Sequence, residues 1–430
     1  MLVRSRLGSF LTFALAGMLC GVWTARMPAL ADEFRTGESG VGIVVLVWGL
    51  GALAAMQGLR GVMARTGSRG VLRVALPLTA LTYALAALAP SYGVLLAAVA
   101  VFGMAFGVTD IAMNAQASTV EQTYRRPIMS GMHAGWCVGA MSGGLFGVLT
   151  AALGLGFTQT ALTAALLALP AALALGRTYL PDPAAPAASG GDGGGRRRAG
   201  LPAAVYVIGV LAFLAFMAEG SIADWSGLLL NREMGASQAL AALAYPLFEL
   251  AMLLGRLFGD RVRVRLGTRR MLAAAGVGTS LSTAVVVLAP AAPVALAGFF
   301  LAGLAVCTVV PTMMSLAGTA APGRSGAAVA QVGAMGYGGL LLGPVVIGFL
   351  AEATSLRVGV GLVVVLALLV SAGVRFIPLG GGADVAASRP ADAQEPAAPS
   401  PPERRPERGT PPPRPGPGGG VARQRLTCAC

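Results

Sequence analysis

The sequence contains no lysine, one histidine and five cysteines in 430 residues, and only 11% of it is charged. Soluble domains carry about 25% charged residues. A water-facing surface cannot be built from this chain, which excludes one or two soluble domains and, with them, most enzyme classes. Cys20, Cys137, Cys307, Cys428 and Cys430 are too scattered for a zinc site or a disulfide framework, so no metal and no cofactor is expected. The first three lie inside apolar runs and read as small buried hydrophobes. Acid is also scarce, 18 residues against 31 arginines, for a net charge of +13. That excess does not point to nucleic acid, because the arginines sit in short gaps between apolar runs, the pattern of membrane topology.

What the chain has is apolar length. It is 56% hydrophobic with a mean hydropathy of +0.74. A membrane-crossing helix needs about 20 apolar residues, and twelve runs of that order are present. The first six cover roughly 9–31, 41–62, 71–90, 94–118, 128–151 and 157–180. The second six cover roughly 202–223, 238–258, 271–290, 294–317, 326–350 and 358–378. Continuous runs exclude the alternation of a β-barrel, and backbone in lipid must bond to itself. The expected fold is therefore an all-α membrane protein of twelve transmembrane helices. A cleaved signal peptide competes for the first run, with Ala29-Leu30-Ala31 as the cleavage site, but that run is too long for the purpose.

Arginine placement sets the orientation. Arg4 and Arg6 precede the first run. Arg65, Arg69 and Arg73 follow the second, Arg125 and Arg126 the fourth, and Arg196, Arg197 and Arg198 the sixth. Arg261, Arg263, Arg265, Arg269 and Arg270 follow the eighth, Arg324 the tenth and Arg375 the twelfth. The opposite connections are nearly free of arginine, and the first carries Asp32, Glu33 and Glu38. Both termini are expected on the cytoplasmic face of a plasma membrane.

The halves repeat at an offset of 200 residues. Arg65-Thr66-Gly67-Ser68-Arg69 matches Arg265-Leu266-Gly267-Thr268-Arg269, Leu88-Ala89-Pro90 matches Leu288-Ala289-Pro290, and Gly103 and Met113 match Gly303 and Met313. Two pseudo-symmetric six-helix bundles are expected. The reading assigns 1–180 to the first bundle, 181–201 to a flexible cytoplasmic linker, 202–379 to the second bundle and 380–430 to a disordered cytoplasmic tail.

With twelve helices, a basic central linker and these R-x-G-x-R turns, the chain resembles the major facilitator superfamily. Against that family's loop pattern G-x-L-a-D-r-x-G-r-r, the frame from Arg60 keeps Arg65, Gly67 and Arg69 but lacks the leading Gly and the Asp. A narrower resemblance rests on four stretches. They are Trp23-Thr24-Ala25-Arg26-Met27-Pro28, Asp110-Ile111-Ala112-Met113-Asn114-Ala115-Gln116, Met129-Ser130-Gly131-Met132-His133-Ala134 and the run from Gly348 to Arg357. These look like the YbjJ-type inner-membrane branch, whose relatives include fucose-permease-like sugar transporters.

A charged group at the bilayer centre costs at least about 2.5–3.5 kcal/mol, so each one is a functional candidate. Glu249, Asp110 and His133 are candidates for proton coupling. Asp110 and Asn114 lie one turn apart, and His133 is expected at a similar depth, as a relay or as a polar lock between helices 4 and 5. Glu249 follows Tyr245-Pro246, where proline can break the helix. Asn114, Gln116, Trp23, Trp136, Tyr245 and Gln331 are candidates for the substrate cavity. Trp225 reads as an interfacial belt residue. Arg26, Glu219 and Asp224, opposite in charge toward the outer ends of helices the repeat makes mates, are candidates for an outer gate or a substrate-carboxylate site, with snorkelling to the interface as the alternative. Arg256 and Asp260, four apart, are expected to pair, and with Arg65, Arg69, Arg265 and Arg269 they are candidates for a cytoplasmic gate. The expected function is secondary transport of a small molecule by a monomer in the lipid bilayer, coupled to protons. A membrane sensor that binds a small molecule without moving it is the alternative.

Overall fold

The computed structural model describes residues 2–125, 128–182, 200–321 and 324–377. The arginine triplet of the expected linker and the tail with Cys428 and Cys430 lie outside the described residues. Among the described residues, twelve helices are long and apolar enough to cross a membrane. In chain order they are α1 Leu2–Ala25, α2 Glu38–Leu59, α3 Arg65–Ala87, α4 Tyr92–Tyr124, α5 Gly131–Ala152 and α6 Phe157–Leu175. The second half supplies α7 Ala203–Glu233, α8 Gln238–Gly259, α9 Thr268–Leu288, α10 Ala292–Ala320, α11 Ala327–Ala353 and α12 Leu356–Phe376. Among the described residues the fold is all-α, in two six-helix bundles.

The first apolar run does not form one helix. It stops at Ala25 and restarts as a short helix, Met27–Glu33, with proline in its first turn, where a missing N–H costs nothing. The R-x-G-x-R turns break the chain in the same way in both halves. Gly67 takes φ 69° and ψ 168°, and Gly267 takes φ 76° and ψ 154°. That backbone region strains any residue with a Cβ, so the glycine of the repeat is a geometric requirement. The aspartate missing from the first loop frame is replaced from elsewhere. Asp182, beyond α6, accepts from the Ser68 hydroxyl at 2.6 Å, the Thr119 hydroxyl at 3.1 Å and the Arg69 N–H at 3.3 Å, and so caps α3.

Helices in lipid associate where small residues let backbones approach. Gly135, Gly139 and Gly143 of α5, spaced by four, lie against Phe10, Ala14 and Met18 of α1, also spaced by four, and a Cβ on any of them would meet the facing backbone oxygen. The mate of this seam joins α11 to α7, where Gly339 and Gly343 face the carbonyls of Phe213 and Met217. The repeat holds to the residue between α2 and α4. Gly103 closes on the Trp48 carbonyl, and Gly303 closes on the Phe248 carbonyl. Both pairs are 200 residues apart.

Candidate functional site

The odd-to-even connections gather at one end, where arginine is sparse, and there the halves are tied. Arg232, at the end of α7, donates to Glu38 at 2.8 Å and to the Thr36 carbonyl at 3.0 Å, with Asp32 at 3.9 Å. Gln238 donates to Asp32 at 2.7 Å, and the Ser39 N–H donates to Glu352 of α11 at 2.9 Å. Beside these ties a recess of about 470 Å³ is lined by Arg26, Asp32, Glu33 and Gln238. Among the described residues of the opposite, arginine-rich end, three hydrogen bonds join residues of the same half. Arg6 donates to Tyr124 at 3.2 Å, Arg269 to the Ile377 carbonyl at 3.0 Å and Arg263 to Thr268 at 3.2 Å.

Between the two ends, Arg256 of α8 is the hub. Its guanidinium lies 4.0 Å from the Glu219 carboxylate of α7 and donates to the Cys137 sulfur of α5 at 3.1 Å, a contact between halves. Its Nε donates to the Cys307 carbonyl at 3.4 Å. That carbonyl is free for a physical reason: the residue four positions on is Pro311, which has no N–H to give it, and α10 breaks there, between Val306 and Val309. The expected Arg256–Asp260 pair is not what holds the guanidinium, and the Asp260 side chain lies outside the described residues. Glu249 is buried beside Tyr245 and Cys137. The helix break expected from Pro246 falls earlier, at Leu243, so that proline occupies the first turn of the following helix, where it is tolerated.

A second polar contact between halves lies on α4 and α11. Tyr337 donates its hydroxyl to Asp110 at 3.1 Å and stacks on Phe216 of α7, with ring centroids 6.3 Å apart. Asn114 donates to the other Asp110 oxygen at 3.3 Å. His133 does not join this pair. Its ring stands edge-on to Phe13 of α1 at 5.3 Å, because α5 turns that face toward α1.

Several expected placements change. Arg26, Glu219 and Asp224 do not form one gate. Arg26 is 2% exposed and bonds the Leu155 carbonyl within its own half, while Glu219 faces Arg256. Trp23 is not in a cavity but packs among Tyr83, Phe102 and Phe157 inside the first bundle. Trp225 is fully buried against Gly348, away from any interfacial belt. Gln116 is also buried. Turned to satisfy both its atoms, its amide bonds Leu180 N and O at 3.1 and 3.2 Å, so it anchors the segment after α6. Trp136 is half-buried beside Phe106, and Gln331 is half-buried on α11. Arg65 and Arg265 are exposed at the arginine-rich end, and Arg69 bonds Asp182 through its backbone.

The sequence reading missed Arg232, Cys137, Tyr337 and Glu352. Signals existed for Arg232, which stands 200 residues after Asp32 with the opposite charge, and for Glu352, which lies in the run from Gly348 to Arg357.

A model of the Major Facilitator Superfamily matches residues 7–292 and 208–417. The chain is 33% identical over 364 residues to an uncharacterized transporter, y4wD, of Sinorhizobium fredii, covering 84% of this chain and 94% of the relative. It is 33% identical over 377 residues to an uncharacterized MFS-type transporter of Yersinia pestis, covering 87% and 96%. Among solved structures, a bacterial homologue of the human lysosomal transporter Spinster, inward-facing and unoccupied, superposes with a TM-score of 0.72 at 13% identity over 87% and 96% of the two chains. The nucleoside transporter NupG superposes at 0.67 with 14% identity, over 87% and 98%. At such identities the likeness is one of fold.

Proposed function

Because the chain belongs to the Major Facilitator Superfamily, we propose that this membrane transporter works by alternating access, moving a small molecule through the space between its two bundles with protons as the coupling ion. The family and the named relatives are transporters and not enzymes. The observation that carries the reading is the asymmetry of the ties. One end is bonded across the halves through Arg232, Glu38, Asp32, Gln238 and Glu352, while among the described residues of the arginine-rich end Arg6 and Arg269 bond within their own halves. With the arginine-rich end cytoplasmic, this is a conformation closed to the outside. Rocking of the bundles would part the ties and form others at the far end.

Proton coupling is supported by Glu249, Glu219 and Asp110. All three are carboxylates inside the membrane-spanning region, where ionisation is expensive and protonation relieves it. Glu219 and Glu249 both lie near one guanidinium, Arg256, so a proton on either carboxylate changes how the cation is shared. His133 stands apart from Asp110 and joins this set only through the nearby charge of Arg256. The Trp23–Pro28, Asp110–Gln116 and Gly348–Arg357 stretches support placement in the YbjJ-type branch, and with it a sugar-like solute taken up or a small molecule expelled. The unit is read as a monomer of two bundles, 1–180 and 202–379, in the plasma membrane, with both termini cytoplasmic. The transporter-named relatives favour this over the sensing alternative.

Reconstitution in proteoliposomes with an imposed pH gradient tests the reading. Solute accumulation that collapses with the gradient is expected. Binding of solute with no flux in either direction would replace transport with sensing.

A further inference from the structure

Among the described residues, four carboxylates, Asp110, Glu219, Asp224 and Glu249, stand well inside α4, α7 and α8, and Arg256 is a guanidinium that reaches one of them, Glu219, at 4.0 Å. Arg256 is already taken up by Glu219 and by two neutral acceptors, Cys137 and the Cys307 carbonyl. A solute bearing a carboxylate or phosphate would bring negative charge beside these carboxylates. Asp110 is placed differently from the other three. Each of its oxygens accepts one hydrogen bond, from Tyr337 at 3.1 Å and from Asn114 at 3.3 Å, and a carboxylate has about four acceptor positions. Acceptor capacity is left on both oxygens.

The surroundings of Asp110 supply what a cation needs besides charge. Tyr337 is 41% exposed, and its ring stacks on Phe216 at an interplanar angle of 22°. Asp110 meets this pair through the Tyr337 hydroxyl, and an aromatic face within about 6 Å attracts an ammonium through the ring quadrupole. Phe216 lies on α7 one turn before Glu219, so the ring pair spans from Asp110 toward the Glu219–Arg256 pair. The three elements α4, α7 and α11 come from both halves, the arrangement expected where a solute is held at a moving interface.

We propose that the transported solute is an organic amine, its ammonium group held between the Asp110 carboxylate and the Phe216–Tyr337 ring faces. The inference rests on the transporter reading and adds to it the chemical class of the solute. Asn114 is then a positioning residue that holds the Asp110 carboxylate through its other oxygen, and the Tyr337 hydroxyl competes with the ammonium for the same group.

The test uses the full chain in proteoliposomes and pairs of probes that differ by an amine: 2-phenylethylamine and 2-phenylethanol, putrescine and 1,4-butanediol, glucosamine and glucose. Thermal stabilisation and uptake are measured for each pair. At least one amine is expected to bind and move while its hydroxyl counterpart does neither. Asp110→Asn is expected to weaken that amine at least tenfold. Tyr337→Phe keeps the ring and removes the competing hydroxyl, so it is expected to bind the amine as tightly as wild type or more tightly. Flux of the neutral members alone would overturn the assignment and leave the transporter reading standing. An amine that moves undiminished through Asp110→Asn would overturn the site, as would failure of every amine to bind. An amine that binds at Asp110 with no flux would support the site and remove the transporter reading.

Discussion

Asp32 and Arg232 occupy equivalent positions in the two halves, 200 residues apart, and face each other at 3.9 Å at the arginine-poor end. Residues related by an axis along the membrane normal meet when they lie close to it, so opposite charges at mated positions tie the halves together. Their neighbours show the same symmetry. Glu33 accepts from the Thr158 N–H at the start of α6 at 3.2 Å, and Glu233 accepts from the Leu356 N–H at the start of α12 at 2.8 Å. The carboxylates cap mated helices, whereas at the Asp32–Arg232 position the sign differs.

The first prediction concerns that tie. The Arg232 and Glu38 side chains are partly exposed, so their pair contributes about 0.2–1 kcal/mol. Arg232→Ala is expected to raise thiol labelling of a cysteine placed at Ala29, in a background without native cysteines, by no more than about fivefold. Exchanging the charges, Arg232→Glu with Glu38→Arg, is expected to recover part of the slow rate, since Asp32 and the Thr36 carbonyl oppose a carboxylate at 232. Labelling unchanged by Arg232→Ala would show that the tie does not hold this end closed.

Coupling is tested at the carboxylates. Glu249→Gln and Asp110→Asn are each expected to abolish gradient-driven accumulation, because each removes a titratable group at nearly constant shape. Exchange at equal pH is expected to survive in at least one of them. Accumulation at wild-type level in both variants would exclude proton coupling through these residues.

The Glu219–Arg256 pair makes a prediction of its own. Removing one partner strands a charge in a low-dielectric region, whereas removing both does not. Glu219→Gln and Arg256→Gln are each expected to lower the melting temperature in detergent, and the double variant is expected to melt above the Arg256→Gln single variant. Additive losses would show that the pair is not coupled.

Asp182 gives the pH dependence. Burial raises its carboxyl pKa, but hydrogen bonds from Ser68, Arg69 and Thr119 outweigh it and hold the group below the usual range. A depressed pKa stabilises the fold above the unfolded value of about 3.9, and the contribution is lost as pH falls through the folded value. Asp182→Ala is expected to cost about 0.5–2 kcal/mol at neutral pH, the range for a helix cap. The gap between variant and wild type is expected to close below about pH 3.9. A gap unchanged down to pH 3 would mean that the carboxylate charge does not stabilise the turn.

Close packing is tested at the mated glycines. Gly103→Val and Gly303→Val each drive a side chain into a facing carbonyl, and overpacking costs about 1–3 kcal/mol or more. Both are expected to melt earlier than wild type, and by similar amounts. Gly93→Ala, which meets open space, is expected to melt as wild type does.

The number of spans, the repeat and the arginine asymmetry were legible along the chain because each rests on a property of single residues or short windows. Apolar length specifies a helix in lipid, and glycine at 67 and 267 specifies a turn that other residues resist. Placement within the bundle was not legible, because it depends on which face each helix turns to its neighbours. Trp23 and Trp225 have the same composition signal as cavity or belt residues, yet packing puts both in the interior. Arg256 and Asp260 are neighbours on one helix, but a long guanidinium reaches wherever unpaired acceptors lie. Tertiary structure supplied those acceptors: Glu219 from α7, Cys137 from the other half, and a carbonyl released by Pro311. The sequence alone determined that this chain crosses a membrane as two related halves, since hydrophobicity and turn chemistry are local. Only the tertiary structure decided which charges meet between those halves, since a contact between helices depends on rotations and depths that no single helix encodes.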